Sequence, residues 1–356
     1  MLTRECRPQS FEEMAGQQLN KRILQSIIDN PEKAPKVIIM QGAYGTGKTT
    51  SARIFAKALN CESSGKKPCG KCRNCTENLD TSSFYTEYDS AVIGSIDKIR
   101  ELRDTFFYTM ANGYKVIVFD EVHLASKAAQ SALLKILEES PERVFYILAT
   151  TDVDKVLPTI RSRSIELRYE SVKEDDVVKN LRGICTKKGI EADDSVLVTI
   201  ARKSRGHMRN AHMFLDQYVM IGEDDFKQTV KSSRDYFVTY FLGIAQKNKD
   251  KVFQAISDIL TFPLAESSID YQEVLTSISK TMVGYQVSEE IKPIVDLMGV
   301  DVLKLLKLCI SEWVIDSFKS DMTLQTALLC IYQMMAQSAP AQQPQSPNTI
   351  NRAARR

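Results

Sequence analysis

The segment Gly42-Ala43-Tyr44-Gly45-Thr46-Gly47-Lys48-Thr49 has the residue types and spacing of a phosphate-binding loop. Its glycines let the backbone curl until successive N–H groups point at one anion. In the pattern GxxxxGKT the lysine, here Lys48, reaches the β- and γ-phosphates of a nucleoside triphosphate. The hydroxyl of Thr49 then suits Mg²⁺, and Thr50 continues the run. Context separates such a loop from an ordinary glycine-rich turn: it must follow a strand and open a helix. Val37-Ile38-Ile39-Met40 supplies a strand-like run before it. Ala52, Ile54, Phe55, Ala58 and Leu59 supply helical spacing after it.

A second apolar run, Val116-Ile117-Val118-Phe119, ends in Asp120-Glu121-Val122-His123. Carboxylates at the carboxyl edge of a parallel strand lie where ligands bind in such sheets. Asp120 suits the Mg²⁺ held by Thr49, and Glu121 is placed to polarise a water against the γ-phosphate. Glu121 therefore points to hydrolysis of ATP rather than binding alone.

Four of the eight cysteines, Cys61, Cys69, Cys72 and Cys75, fall in one short stretch. Without a secretion signal, clustered thiols suggest a metal rather than disulfides. Two short arms of thiolates suit tetrahedral Zn²⁺. The rival is an iron–sulfur cluster, but there the fourth cysteine usually follows in a CP dipeptide, whereas here it precedes. Four thiolates leave no open position, so the zinc is expected to brace an insertion. The scattered Cys6, Cys185, Cys309 and Cys330 read as small apolar residues.

These groups need a scaffold. The two runs above and Tyr146-Ile147-Leu148-Ala149-Thr150 alternate with helical patterns, including one around Ala128 to Glu139, which implies a parallel sheet covered on both faces. Beyond Lys173 strand-like runs disappear. Ser171 before Glu174-Asp175-Asp176 marks a helix start. Phe237, Tyr240, Phe241, Ile244, Leu303, Leu305, Leu306 and Ile310 then form an apolar helical pattern. The expected organisation is an α/β nucleotide-binding domain over 1–172, two helical units over 173–233 and 234–337, which the resemblance given below makes a lid and a collar, and a disordered tail over 338–356. A length of 356 residues accommodates several domains, and 26% charged residues suit a soluble chain. Net charge of +2 gives no strong pull toward nucleic acid or lipid, so any DNA contact is local or shared among subunits. Apolar runs are too short to cross a membrane, and Met1 to Glu5 carries no export signal, so a cytoplasmic protein is expected.

Residues 1 to about 235 resemble the γ/τ subunits of bacterial DNA polymerase III clamp loaders, which are AAA+ ATPases. The resemblance rests on Arg7-Pro8-Gln9-Ser10-Phe11 with Ala15-Gly16-Gln17, on Asp120-Glu121-Val122-His123 and on Ala132-Leu133-Leu134-Lys135-Ile136-Leu137-Glu138-Glu139. Further matches are Ala149-Thr150-Thr151-Asp152, Ser162-Arg163-Ser164 and Gly206-His207-Met208-Arg209. It implies that Arg7, Pro8 and Gln17 belong to the adenine pocket and that Thr151 senses the γ-phosphate. It further implies that Arg209 is the lid arginine and that Arg163 enters the neighbouring subunit's ATP site. The four-cysteine insertion also matches the family.

A subunit of a pentameric ring, loading a sliding clamp onto primer-template DNA, is the function the resemblance implies. The tail is short, so the polymerase-binding extension of the longer form is expected to be absent, and a naturally short form and a phage-encoded relative both fit. A family helix start near Gly94-Ser95 faces DNA. Here Lys98, Arg100 and Arg103 read equally well as a DNA-facing or a solvated helix face. A branch-migration or helicase motor shares the loop and the acidic pair but not the cysteine insertion or the Ser162-Arg163-Ser164 segment. A non-hydrolysing ATP-binding scaffold is opposed by the intact Lys48, Thr49, Asp120 and Glu121.

Overall fold

A computed structural model describes residues 1–93, 95–101, 113–229, 232–285, 288–311, 314 and 316–336. The chain divides into two compact units, Met1–Val230 and Lys231–Arg356.

The first unit is built on five strands: β1 (Val37–Gly42), β2 (Tyr85–Asp89), β3 (Lys115–Asp120), β4 (Val144–Thr150) and β5 (Ile165–Tyr169). They lie in the order β2-β3-β4-β1-β5, and every pairing is parallel. The three strands expected from apolar runs are the three inner ones. Side chains alternate between the faces with period two. Ile38, Met40, Val116, Val118, Phe145 and Ile147 enter one core, while Val37, Ile39, Ile117, Phe119, Tyr146 and Leu148 enter the other. Helices α1 (Gln18–Asp29) and α2 (Lys48–Leu59) cover the first core. Helix α3 (Lys127–Glu138) covers the second through Ala129, Leu133, Ile136 and Leu137. The Ser126 hydroxyl accepts the Ala129 N–H at 3.1 Å and caps its start. β2 and β5 are the sheet's edges and are not among the expected strands. Tyr-Thr-Glu-Tyr-Asp buries only its first residue fully and Ile-Glu-Leu-Arg-Tyr alternates, so neither is a continuous apolar run.

Behind the sheet in sequence, α4 (Glu174–Lys188), α5 (Asp194–Ser204) and α6 (Met208–Ile221) share a core of Val177, Leu181, Ile200 and Leu215. Leu2 is buried in the same core, and its N–H donates to the Asp216 carboxylate at 3.0 Å. The first residues of the chain are thereby tied to α6.

The second unit is helical: α7 (Ser233–Ala245), α8 (Lys249–Ile259), α9 (Leu264–Met282), α10 (Lys292–Met298), α11 (Asp301–Cys309) and α12 (Asp321–Ala336). Phe237, Tyr240, Phe241 and Leu305 are buried as their spacing suggests. Leu303 and Ile310 are instead 60% and 62% exposed. α11 turns Val302, Leu305 and Cys309 inward, which leaves Leu303 on the opposite face, and Ile310 follows the last turn. The buried Asp270 carboxylate accepts from Ser233 Oγ at 2.6 Å and from the Arg234 N–H at 3.1 Å, an anion at the start of α7. The expected disordered tail over 338–356 lies outside the described residues. No helix among the described residues is long and apolar enough to cross a membrane.

Candidate functional site

A cavity of about 460 Å³ opens at the start of α2 and the carboxyl end of β3, within the usual range for small-molecule sites. Gly45 and Gly47 have φ of 76° and 101°, the left-handed region where glycine carries no penalty. Gly42 answers to packing: a Cβ there would come within 2.2 Å of the Tyr169 carbonyl oxygen. Lys48 is 5% exposed, and its ammonium donates to the carbonyls of Gly42 at 2.7 Å and Ala43 at 3.0 Å. Burial pulls the Lys48 pKa down, and the charges of Glu121 and Asp120 oppose that shift.

The Thr49 hydroxyl donates to Asp120 Oδ2 at 3.4 Å. Burial raises the Asp120 pKa, and the neighbouring carboxylates Glu121 and Glu87 add to the rise. A hydroxyl and a carboxylate within reach of each other, under an excess of negative charge, are a donor set that fits Mg²⁺. Glu121 follows in a left-handed conformation, φ 49°. Its Oε2 accepts from the Thr151 N–H at 3.2 Å and the Thr151 hydroxyl at 3.1 Å, and lies 3.2 Å from His123 Nδ1. His123 Nδ1 also lies 3.1 Å from Thr150 Oγ1, whose proton goes to the Asp152 carbonyl. Nδ1 of His123 is therefore the protonated nitrogen.

The start of α6 docks on the loop. The Met208 N–H donates to the Gly45 carbonyl at 3.0 Å, and His207 Nδ1 donates to the Tyr44 carbonyl at 2.6 Å. The Arg209 guanidinium lies 4.9 Å from the Tyr44 ring centre and hydrogen-bonds its hydroxyl. Gly206, just before α6, packs on Val172, whose carbonyl oxygen a Cβ there would meet at 2.4 Å.

Of the residues singled out from sequence, Arg7, Pro8, Tyr44, Gly45, Thr46, Gly47, Lys48, Thr49, Thr50, Asp120, Glu121 and Arg209 line the cavity. Others stand outside its wall. Gln17 donates to the Glu170 carbonyl at 2.6 Å and braces the chain there. Thr151 acts on Glu121. Arg163, 48% exposed, pairs with Glu138 at 3.0 Å and donates to the Thr159 carbonyl at 3.0 Å. The cavity wall also contains Met1, Thr3, Met14, Glu87, Asn180 and His212, which no motif marks.

The sulfurs of Cys61, Cys69, Cys72 and Cys75 all lie within 4.8 Å of one another, and Cys69 and Cys75 are 3.9 Å apart. Four thiolates about 2.3 Å from one zinc ion would stand about 3.8 Å apart, so the cluster fits that ion. The backbone N–H groups of Lys71 and Cys72 lower the Cys69 pKa to about 6. Burial raises that of Cys75 to about 12, a cost that a bound cation would offset. The cluster starts at Cys61, directly after the C-cap Asn60 of α2. In the candidate DNA-facing segment, Gly94 and Arg103 lie outside the described residues. Lys98 and Arg100 fall on the short helix Ile96–Glu101.

A family model described as "DNA polymerase III, delta subunit" matches residues 16–173. The DNA polymerase III subunit gamma of Buchnera aphidicola (Schizaphis graminum) is 35% identical over 292 residues, covering 80% of this chain and 76% of that protein. The tau subunit of Bacillus subtilis is 37% identical across 73% of this chain and 47% of its own length. The gamma/tau subunit of Mycobacterium bovis is 38% identical across 61% of this chain. The chain thus spans less than half the length of those two relatives, 47% and 38%. Among solved structures, the Thermotoga maritima RuvB Holliday junction branch migration motor matches at a TM-score of 0.47 and 19% identity, over 82% of this chain and 91% of that one. The chain belongs to the DNA polymerase III gamma/tau family, and its fold is a parallel α/β sheet followed by helical units.

Proposed function

We propose that the chain is the ATP-hydrolysing motor of a clamp loader, which opens a DNA sliding clamp and sets it on primer-template DNA. The observation that carries this reading is the convergence of Lys48, Thr49, Asp120 and Glu121 on one cavity in a gamma/tau-family chain. Lys48 and the loop amides bind the β- and γ-phosphates. Thr49 and Asp120 hold Mg²⁺, which neutralises phosphate charge when bound. Glu121, with one carboxylate oxygen engaged by Thr151 and His123, keeps the other to orient a water and take its proton. Arg209 completes the cavity from α6.

Arg163 serves the ATP site of a neighbouring subunit in a five-membered ring. Its half-exposed position outside its own cavity wall supports that role. Cys61, Cys69, Cys72 and Cys75 hold a structural zinc. We read 1–172 as the ATPase domain, 173–233 as its lid and 234–337 as the collar, acting in the cytoplasm. The test is ATP turnover by the assembled subunits with clamp and primed DNA, together and singly. Stimulation is expected only with both. Full stimulation by DNA alone contradicts clamp loading.

A further inference from the structure

Glu121 is the base in the reading proposed above, and its aim depends on side chains outside the phosphate loop. Its backbone is left-handed, φ 49° and ψ 48°, a conformation that residues with a Cβ rarely adopt. A tight turn follows, in which the Leu124 N–H donates to the Glu121 carbonyl at 2.9 Å. Residues two apart on a helix face away from each other. Here the turn instead brings the His123 ring back beside the carboxylate that precedes it.

Nδ1 of His123 lies 3.2 Å from Glu121 Oε2 and 3.1 Å from Thr150 Oγ1. Thr150 is itself fixed: its hydroxyl donates to the Asp152 carbonyl at 3.0 Å and accepts the Asp152 N–H at 3.0 Å. That hydroxyl has no second proton to give, so the Nδ1–H of His123 is shared between Thr150 Oγ1 and Glu121 Oε2. The ring is thereby anchored to the end of β4, with its donor aimed at the base. With a side chain only 12% exposed, it has little room to turn.

The Thr151 N–H and hydroxyl reach the same oxygen, Oε2, at 3.2 and 3.1 Å. Two elements therefore grip one oxygen, the end of β4 and the turn after β3. The terminal torsion of a free Glu is broad, and this grip holds it to one setting. Oε1 has no partner among the described residues, and Glu121 lines the cavity. We infer that His123 is a positioning residue for hydrolysis: its Nδ1–H, steadied by Thr150, holds Glu121 so that Oε1 faces the attacking water. The inference rests on reading Glu121 as the base. His123 neither gains nor loses a proton in this step, and the proton of the water goes to Glu121 Oε1.

The test is a set of variants in the assembled complex, each measured for ATP affinity and for single-turnover phosphate release. His123→Leu should slow hydrolysis by roughly 10- to 100-fold and leave ATP affinity within about twofold, because a misaimed base costs rate rather than binding. His123→Asn puts an amide N–H where Nδ1 stands and should recover the rate to within about fivefold. His123→Gln, whose amide reaches toward the place of Nε2, should stay as slow as His123→Leu. A role in packing alone would favour Gln, the closer in size to His, and this comparison holds whatever Leu does to the fold. In a Glu121→Gln background, His123→Leu should slow hydrolysis by less than about twofold more, since residues that act as a unit are not additive. An unchanged rate in His123→Leu overturns the inference. So does a Gln variant as fast as the Asn variant, or a full further loss in the Glu121→Gln background. Normal hydrolysis in Glu121→Gln alone overturns the reading of Glu121 as the base, and this inference with it.

Discussion

At the phosphate end of the cavity the chemistry comes from two short stretches, the loop around Gly45 to Thr50 and the pair Asp120-Glu121. The rest of the cavity wall comes from the first residues of the chain, from α4 and from α6. The difference follows from what each end must bind. Phosphate is gripped by successive backbone amides, which only a contiguous loop can aim at one point. A base is gripped by side chains and apolar walls, which any packed element can supply. One end is therefore a motif and the other a product of folding, with Leu2 and Asp216 fastening the parts.

Variants in the two parts should separate chemistry from packing. Lys48→Ala should lower ATP affinity and abolish hydrolysis, measured by nucleotide titration and phosphate release. Unchanged affinity in that variant would blur the comparison. Arg163→Ala reaches outside both ends. The isolated subunit should bind ATP normally, while stimulated hydrolysis in the assembled complex falls by about 10³ or more, as for fingers supplied in trans. Weakened binding in the isolated subunit with unchanged stimulated turnover would remove that role.

Cys72→Ser tests the far end of α2. Elemental analysis should show zinc lost, with ATP affinity held within about twofold, because the thiol cluster braces the insertion rather than the loop. Iron in the unaltered protein would refute zinc.

The smallest effect concerns pH. Burial holds the folded pKa of His212 at about 4, below its ordinary value near 6.5. The unfolded chain takes up a proton as pH falls through 6.5, and the folded chain does not until about 4. The stability associated with the neutral ring is fully present above pH 6.5 and is lost toward pH 4, by at most roughly 3 kcal/mol. His212→Leu should flatten that part of a denaturation-midpoint profile against pH.

Legibility from sequence followed the same division. The inner strands announced themselves as continuous apolar runs, such as Val37 to Met40, because both faces are buried. β2 and β5 have one face partly in water, so Glu87 and Arg168 interrupt the pattern, and with β2 went Glu87's place in the cavity. The loop and the acidic pair were legible because their chemistry fixes their spacing. Asn180 and His212 were not, since 32 residues separate them and only the packing of α4 beside α6 makes them neighbours. In the second unit, periodicity placed Leu305 inside correctly but not Leu303, which lies across the helix from the face that Val302, Leu305 and Cys309 turn inward.

The measurement that tests the central claim most directly is Glu121→Gln in the assembled complex, with ATP binding and ATP hydrolysis followed side by side. Gln keeps the size and most hydrogen bonds of Glu but cannot take a proton. Binding should stay within a few-fold of the unaltered protein while hydrolysis falls by about 10²–10⁴. Hydrolysis at the unaltered rate would contradict the assignment of Glu121 and, with it, the reading of this cavity as the site of ATP turnover.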